Sequence, residues 1–227
     1  MSGLRIAIVG AESTGKTVLA QALAVQLSET TGLRCTAVAE ALRAWCEREG
    51  RTPRPDEQAA IAAAQAAAID AAGASQDLVL CDTTPLMTAI YSAHLFADHS
   101  LLPAALEFHR RCDLTLLTAL DLPWVADGLQ RDGAAVRPPI DAAIRTALIS
   151  GGIAWSVVAG RGAQRIEAAL NAITPLLQRR ALPKPGLFTR LEARQAALPD
   201  WRWNCDCDVP ECEHAALQQR LLKDPLP

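Results

Sequence analysis

Gly10-Ala11-Glu12-Ser13-Thr14-Gly15-Lys16-Thr17 follows directly on the apolar run Leu4-Arg5-Ile6-Ala7-Ile8-Val9. The octet has the form G-x-x-x-x-G-K-[ST] and stands where that form needs to stand, between a strand and a helix. Gly10 and Gly15 let the backbone wrap so that its N–H groups point inward at phosphate oxygens. The helix that opens at Gly15–Lys16 adds unpaired N–H groups and the positive end of its dipole. Lys16 reaches the β- and γ-phosphates, and the Thr17 hydroxyl is placed to ligate Mg2+. All eight residues are therefore candidate contacts of a bound nucleoside triphosphate. An ordinary glycine turn is the bland alternative.

Working outward, apolar strand-like runs alternate with helical stretches, the pattern of an α/β fold on a mainly parallel sheet. Strands are expected at Leu4–Val9, Arg34–Ala39, Leu78–Cys81, Asp113–Ala119 and Ala154–Val158. Helices are expected at Lys16–Glu29, Ala41–Glu49, Asp56–Ala72, Leu86–Phe96, Pro103–Arg110, Ile140–Ile149 and Gln164–Gln178. Asp56 reads as an N-cap after Pro53 and Pro55, and Gly73 as a stop signal. The fold class is thus a phosphate-loop NTPase of the nucleoside-kinase type, a parallel sheet flanked by helices, with a short cysteine-rich C-terminal extension. The composition shifts after about Leu182, where Pro183, Pro185, Gly186 and Pro199 mark a linker. Residues 1–182 then form the kinase or ATPase domain, and 183–227 the extension.

The chain has 227 residues, half of them hydrophobic, and a formal net charge of −3. That balance gives no broad attraction to nucleic acid or to an anionic membrane. No run is long enough to cross a bilayer and no leader precedes the first strand, so a cytoplasmic location is expected. Of the seven cysteines, Cys35, Cys46, Cys81 and Cys112 lie in apolar segments and read as small buried hydrophobes.

A parallel sheet binds ligands at the carboxyl ends of its strands, and several polar residues fall there. Asp82 ends the run Leu78-Val79-Leu80-Cys81, where a carboxylate can hold Mg2+ or orient a nucleophile. Asp82-Thr83-Thr84-Pro85 could also be a plain helix cap. Glu40 follows the second strand and could accept the proton of an attacking hydroxyl, with Arg43 one turn on to hold substrate. A surface ion pair is the alternative for these two. Asp121 to Gly133 is polar and glycine-punctuated, and reads as a lid. From it Arg131, and Arg137 beyond it, could neutralise charge on a transferring phosphoryl group. Trp124 offers a face for a ring, and Asp127 could bond a ribose hydroxyl. His94, His99 and His109 show no metal-ligand spacing.

The octet, the Glu40…Arg43 pair, Gln65, Cys81-Asp82-Thr83 and Asp121–Gly133 together resemble the ribosylnicotinamide kinase domain of the bacterial NadR-type regulators. The same residues match related stand-alone phosphate-loop ATPases and kinases of NAD metabolism. The likeness spans about residues 4 to 178, and Asp121-Leu122-Pro123-Trp124-Val125-Ala126-Asp127-Gly128 is its most specific part. It implies ATP·Mg2+ as donor and the 5′-hydroxyl of nicotinamide riboside as acceptor, with Trp124 stacked on the nicotinamide and Asp127 on its ribose. Members usually read Glu-Tyr-Ala-Arg after the second strand. Here the stretch is Glu40-Ala41-Leu42-Arg43, without the aromatic. No His-x-Gly-His motif or helix-turn-helix is present, so the kinase activity is expected alone.

Cys205-x-Cys207-x4-Cys212-x-His214 supplies three thiolates and one imidazole, the donor set of a closed tetrahedral Zn2+ site. It is similar to the C-x-C…C-x-H pattern of SWIM-type zinc motifs, with a shorter gap. Asp206, Asp208, Glu211 and Glu213 add negative charge that works against binding. Reduced thiols in a tail, or a redox-active cluster, are the alternatives. A bound zinc would be structural, and Trp201 and Trp203 could pack the tail on the body or on a partner.

The expected function is ATP-dependent phosphoryl transfer to a small-molecule hydroxyl. Lys16, Glu40, Asp82, Arg131 and Arg137 would carry catalysis, and Glu40, Arg43, Trp124 and Asp127 would hold the acceptor. The alternative is a nucleotide-gated ATPase module whose zinc-bearing tail contacts a partner. A homo-oligomer is compatible with either.

Overall fold

The computed structural model describes residues 3–125 and 133–179. Strands β1 (Leu4–Val9), β2 (Cys35–Val38), β3 (Leu78–Asp82), β4 (Leu114–Thr118) and β5 (Ser156–Val158) form one sheet in the order β2-β3-β1-β4-β5. Every pairing is parallel, Ile8 standing beside Asp82 on one side and Leu116 on the other. Parallel strands covered on both faces need apolar side chains at successive positions rather than at alternate ones. β1 and β3 meet that demand: Ile6 to Val9 and Leu78 to Cys81 are all 0% exposed.

The helices are α1 (Lys16–Thr31), α2 (Ala41–Glu49), α3 (Gln58–Ser75), α4 (Pro85–Phe96), α5 (Leu102–His109), α6 (Arg137–Ser150) and α7 (Ala163–Arg179). Right-handed crossovers place helices that connect leftward and rightward strand steps on opposite faces of the sheet. So α1 and α7 pack together on one face, while α3 to α6 form a connected layer on the other. A core cluster on the second face joins Val9 and Leu117 to Leu86, Ile90, Ile140 and Ile144. Each side chain of this size contributes about 1.5–3 kcal/mol on burial. The sheet is held from both sides, so the loops at its carboxyl edge project from a fixed base.

The expected elements all form, with shifted ends. Asp56 is not a helix N-cap: Pro55–Glu57 is a single 3-10 turn, and the Glu57 carboxylate accepts the Arg54 N–H at 2.8 Å. Gly73 does not stop α3, which continues to Ser75. A Cβ at Gly73 would come within 3.1 Å of the Arg5 guanidinium, so this glycine serves close packing rather than termination. α6 begins at Arg137, ahead of the expected Ile140, because Pro138 and Pro139 fall in its first turn, where no N–H is needed. Thr84 caps α4 by accepting the Leu86 N–H, which leaves Asp82 on the strand.

Cys46 and Cys81 are buried, Cys35 and Cys112 half-buried, and all four are free thiols. Burial raises the pKa of each, Cys112 to about 12. They remain protonated, as the reading of small hydrophobes requires. Among the described residues no helix is long and apolar enough to cross a membrane.

Candidate active site

The loop between β1 and α1 is fixed by a short chain of buried hydroxyls. The Thr14 hydroxyl donates to the Ala11 carbonyl at 2.7 Å, and the single proton of Thr118 Oγ1 goes to Thr14 Oγ1 at 2.7 Å, with the Val9 carbonyl beside it at 3.2 Å. A Cβ at Gly10 would collide with Thr118 Oγ1, so the crossing of loop and β4 admits only glycine. Gly15 caps α1 in the left-handed conformation, with φ of 74°. Ser13 shares that conformation at φ of 54°, at a cost of about 1–2 kcal/mol for a residue with a side chain. Its hydroxyl offsets this by accepting the Val125 N–H at 2.8 Å and donating to the Val125 carbonyl at 3.0 Å.

Lys16 reaches back into the loop, its ammonium donating to the Ala11 carbonyl at 2.9 Å. Burial pulls its pKa below the ordinary lysine value, and the carboxylates of Glu40, Asp82 and Glu12 act in the opposite sense. The acids expected at the tips of β2 and β3 therefore converge on this lysine, joined by Glu12 of the loop itself. A cleft of about 460 Å3 runs along Ser13, Thr14, Gly15, Lys16, Thr17 and Val18, with Glu40 and Arg43 opposite and Leu122, Pro123 and Val125 as its wall. Its dimensions and open N-terminal helix end suit a phosphate chain.

Asp82 is 2% exposed, and its Oδ1 has no hydrogen-bond partner. A buried carboxylate oxygen left without a donor is costly, and a cation shared with phosphate oxygens would satisfy it. Thr17, at the first turn of α1, borders the same cleft. These residues fit a Mg2+·nucleotide. Beside Asp82, Thr83 takes φ of 71°, an unusual value for a β-branched residue, while its N–H donates to the Ile8 carbonyl at 3.1 Å.

Glu40 ends the β2 segment and leads into α2, its carboxylate 3.9 Å from Arg43 Nε. The buried Gln65 of α3 brackets it. The Gln65 side-chain oxygen accepts the Ala41 N–H at 2.6 Å, and its NH2 donates to the Ala39 carbonyl at 3.3 Å. The Glu40 backbone is thus clamped on both sides from the core. The ion pair with Arg43 is real, but it faces the site: both residues line the cleft and a smaller adjoining pocket.

That adjoining pocket, about 40 Å3, is lined by Glu12, Ser13, Lys16, Glu40, Arg43, Thr83, Met87, Tyr91, Trp124 and Val125. Trp124 thus shares this pocket with Lys16, Glu40 and Arg43. Tyr91 and Met87 were not legible as site residues, and Glu12, read as a contact of the triphosphate, also lines this pocket. Tyr91 is the only tyrosine in the chain, and it lies one helical turn after Met87 on the helix that follows Asp82. An aromatic ring absent from the Glu40-Ala41-Leu42-Arg43 stretch thus enters the pocket from α4.

Arg137 lies apart from these pockets. It is 6% exposed, donates through Nη1 to the Leu122 carbonyl at 2.9 Å, and its Nε and Nη2 have no partner. It braces the wall of the cleft from behind. Arg165 of α7, which no motif flagged, reaches the loop more directly, donating to the Thr14 carbonyl at 2.8 Å. Asp127 and Arg131 lie outside the described residues, as do Cys205, Cys207, Cys212 and His214. Among the described residues no group of three or more His, Cys, Asp or Glu could hold a metal ion by itself.

A phosphate loop on β1, an acid at the tip of β3 and the strand order β2-β3-β1-β4-β5 define a nucleotide-binding P-loop domain of the kinase-like type. The chain belongs to the AAA domain family, whose sequence profile matches residues 5–165. Among solved structures it is similar to the crystal structure of NadR protein in complex with NR, with a TM-score of 0.60 at 19% identity over 76% of this chain and 50% of that one. The crystal structure of NadR protein in complex with NAD and AMP-PNP gives a TM-score of 0.57 at 18% identity, over 76% and 50%. The chain thus spans about half the length of these two structures. No curated protein matches it by sequence.

Proposed function

We propose that the chain is an ATP-dependent kinase whose acceptor is nicotinamide riboside or a nucleoside with a similarly cationic ring. The observation that carries this is the junction of two pockets at Lys16 and Glu40. One is a cleft shaped for phosphates; the other is a small pocket with two aromatic rings and two carboxylates. Tyr91 and Trp124 offer faces to a ring, and a cationic ring gains cation–π attraction there. Glu12 and Glu40 add the complementary charge.

The loop N–H groups and Lys16 hold the β- and γ-phosphates. Thr17 and Asp82 would hold Mg2+, which neutralises phosphate charge. Glu40, fixed by Gln65, accepts the proton of the acceptor hydroxyl. As that oxygen bonds to the γ-phosphorus, the bond from phosphorus to the β,γ-bridging oxygen breaks and ADP leaves. Arg43 orients the acceptor. Asp127 is assigned to the ribose hydroxyls and Arg131 to charge on the transferring group, while Arg137 acts only through the cleft wall, by its bond to the Leu122 carbonyl.

The test is to incubate the full chain with ATP, Mg2+ and a panel of nucleosides, and to identify phosphorylated products. Nicotinamide mononucleotide should form in step with ADP. Lys16→Ala should lower turnover by about a thousandfold or more, the scale of a lost charge-stabilising donor. Hydrolysis of ATP that no nucleoside accelerates would overturn the kinase reading and favour a nucleotide-gated ATPase.

A further inference from the structure

Three loops leave the carboxyl edge of the sheet beside one another: the phosphate loop after β1, the segment after β4 and the turn after β5. One side chain ties them. Arg165, 5% exposed, donates to the Thr14 carbonyl at 2.8 Å, the Gly160 carbonyl at 2.9 Å, the Ala119 carbonyl at 3.4 Å and Asp121 Oδ1 at 2.8 Å. Asp121 closes the ring by accepting the Gly160 N–H through its other oxygen at 2.5 Å. Burial works against the Asp121 charge, but Arg165 and the Gly160 N–H outweigh it and hold the carboxyl below its ordinary pKa. The guanidinium is therefore paired with a charged partner, and its fork is spent on carbonyls from three separate loops.

The contact with Thr14 has a consequence for phosphate binding. Among the described residues no peptide bond is cis, and in a planar trans peptide the C=O and the following N–H point in opposite directions. Anchoring the Thr14 carbonyl on Arg165 therefore aims the Gly15 N–H the other way, toward the cleft that Thr14, Gly15 and Lys16 line. Gly15 needs such an anchor. Its φ of 74° is not enforced by any side chain, and while the Leu19 N–H holds its carbonyl at 3.0 Å, the peptide on its N-terminal side is held through the Thr14 carbonyl.

We infer that Arg165, with Asp121 as its counter-ion, is a positioning residue that pre-orients the Thr14–Gly15 peptide for the phosphates. This rests on the nucleotide-binding reading of the same loop. It goes further by making a residue of α7 a determinant of donor affinity. A lysine cannot reproduce the arrangement, because a point ammonium cannot hold several carbonyls and a carboxylate in one plane.

The experiment compares the full chain with its Arg165→Lys, Arg165→Ala and Asp121→Asn variants. AMP-PNP·Mg2+ binding is followed by calorimetry, and initial rates are measured with each substrate varied. Arg165→Lys should weaken AMP-PNP binding and raise the KM for ATP by about tenfold or more, the KM for the nucleoside staying within about twofold, because displacement of the loop acts on the donor alone. Asp121→Asn should act in the same direction and less strongly. Millimolar guanidinium chloride should restore binding to Arg165→Ala. If the alanine variant does not fold, the lysine and asparagine variants carry the comparison. Variants that bind AMP-PNP as the parent does, or that lose kcat and both KM values in proportion to a lowered folded fraction, overturn the inference and leave the nucleotide reading intact. A parent chain that binds no AMP-PNP overturns both.

Discussion

Glu40 can serve as a proton acceptor only while its carboxylate stays at the junction of the two pockets, and its own helix is too short to ensure that. The fixing comes from Gln65, whose amide meets the backbone on either side of Glu40 at 2.6 and 3.3 Å. Replacement by an apolar residue of similar size leaves the Ala41 N–H and the Ala39 carbonyl to find other partners, at about 1 kcal/mol for each bond lost. Gln65→Leu should therefore lower kcat by about tenfold, the effect of roughly 1.4 kcal/mol on the barrier, with the KM for ATP unchanged. Steady-state kinetics with both substrates varied checks it, and an unchanged kcat would separate Gln65 from the reaction. Asp82→Asn is sharper. It keeps the shape of a 2%-exposed side chain but removes the charge that fits Mg2+, so turnover should fall by about a hundredfold or more and added Mg2+ should recover part of it.

At the scale of elements, α4 carries Met87 and Tyr91 into the small pocket beside Lys16 and Glu40, and its start is set by a buried histidine on α5. His109 is 0% exposed and lies between the Thr84 hydroxyl at 2.8 Å and the Thr115 hydroxyl at 2.9 Å, which joins α4, α5 and β4. Burial lowers its pKa from 6.5 to about 4. The unfolded chain therefore binds the proton more readily than the folded one between those values. Stability is fully present above the unfolded pKa and is lost as pH falls from about 6.5 toward 4, by an amount on the order of 3 kcal/mol. Thermal unfolding followed over that range should show a falling Tm, and His109→Gln should flatten the dependence. A Tm profile identical in the two proteins would assign the acid sensitivity elsewhere. Legibility in the sequence divides at this scale. β1, β3 and the octet could be read because each is a local pattern: a continuous apolar run, or spaced glycines before Lys16. Gly73 misled because its reason for being glycine is Arg5, distant in sequence. His109, Tyr91 and Arg165 were missed for the same cause. Each acts on residues that only the fold brings near, and no spacing rule records such partners.

At the scale of the whole chain, the residues that line the phosphate cleft and its adjoining pocket are distant in sequence from the cysteine cluster. The loop, the acids of β2 and β3, and Tyr91 and Trp124 all stand within residues 3–125 on a sheet covered by its own helices. Cys205, Cys207, Cys212 and His214 lie far along the sequence, beyond α7. Three thiolates and an imidazole fill the four positions of a tetrahedral Zn2+, which leaves none open for substrate. A zinc held there would stabilise the extension without entering catalysis, because metal binding to such a segment is its folding energy. The purified chain should accordingly carry about one zinc by elemental analysis. Cys212→Ser and His214→Ala in the full chain should each lose it, while the rate of nucleoside phosphorylation stays within about twofold of the parent. Proton competition for the ligating groups sets the sense of the pH effect: zinc should be retained at neutral pH and released in mild acid. A chain that holds no zinc after purification in its presence would return the cluster to free thiols. Zinc loss accompanied by loss of phosphorylation would instead join the extension to the site.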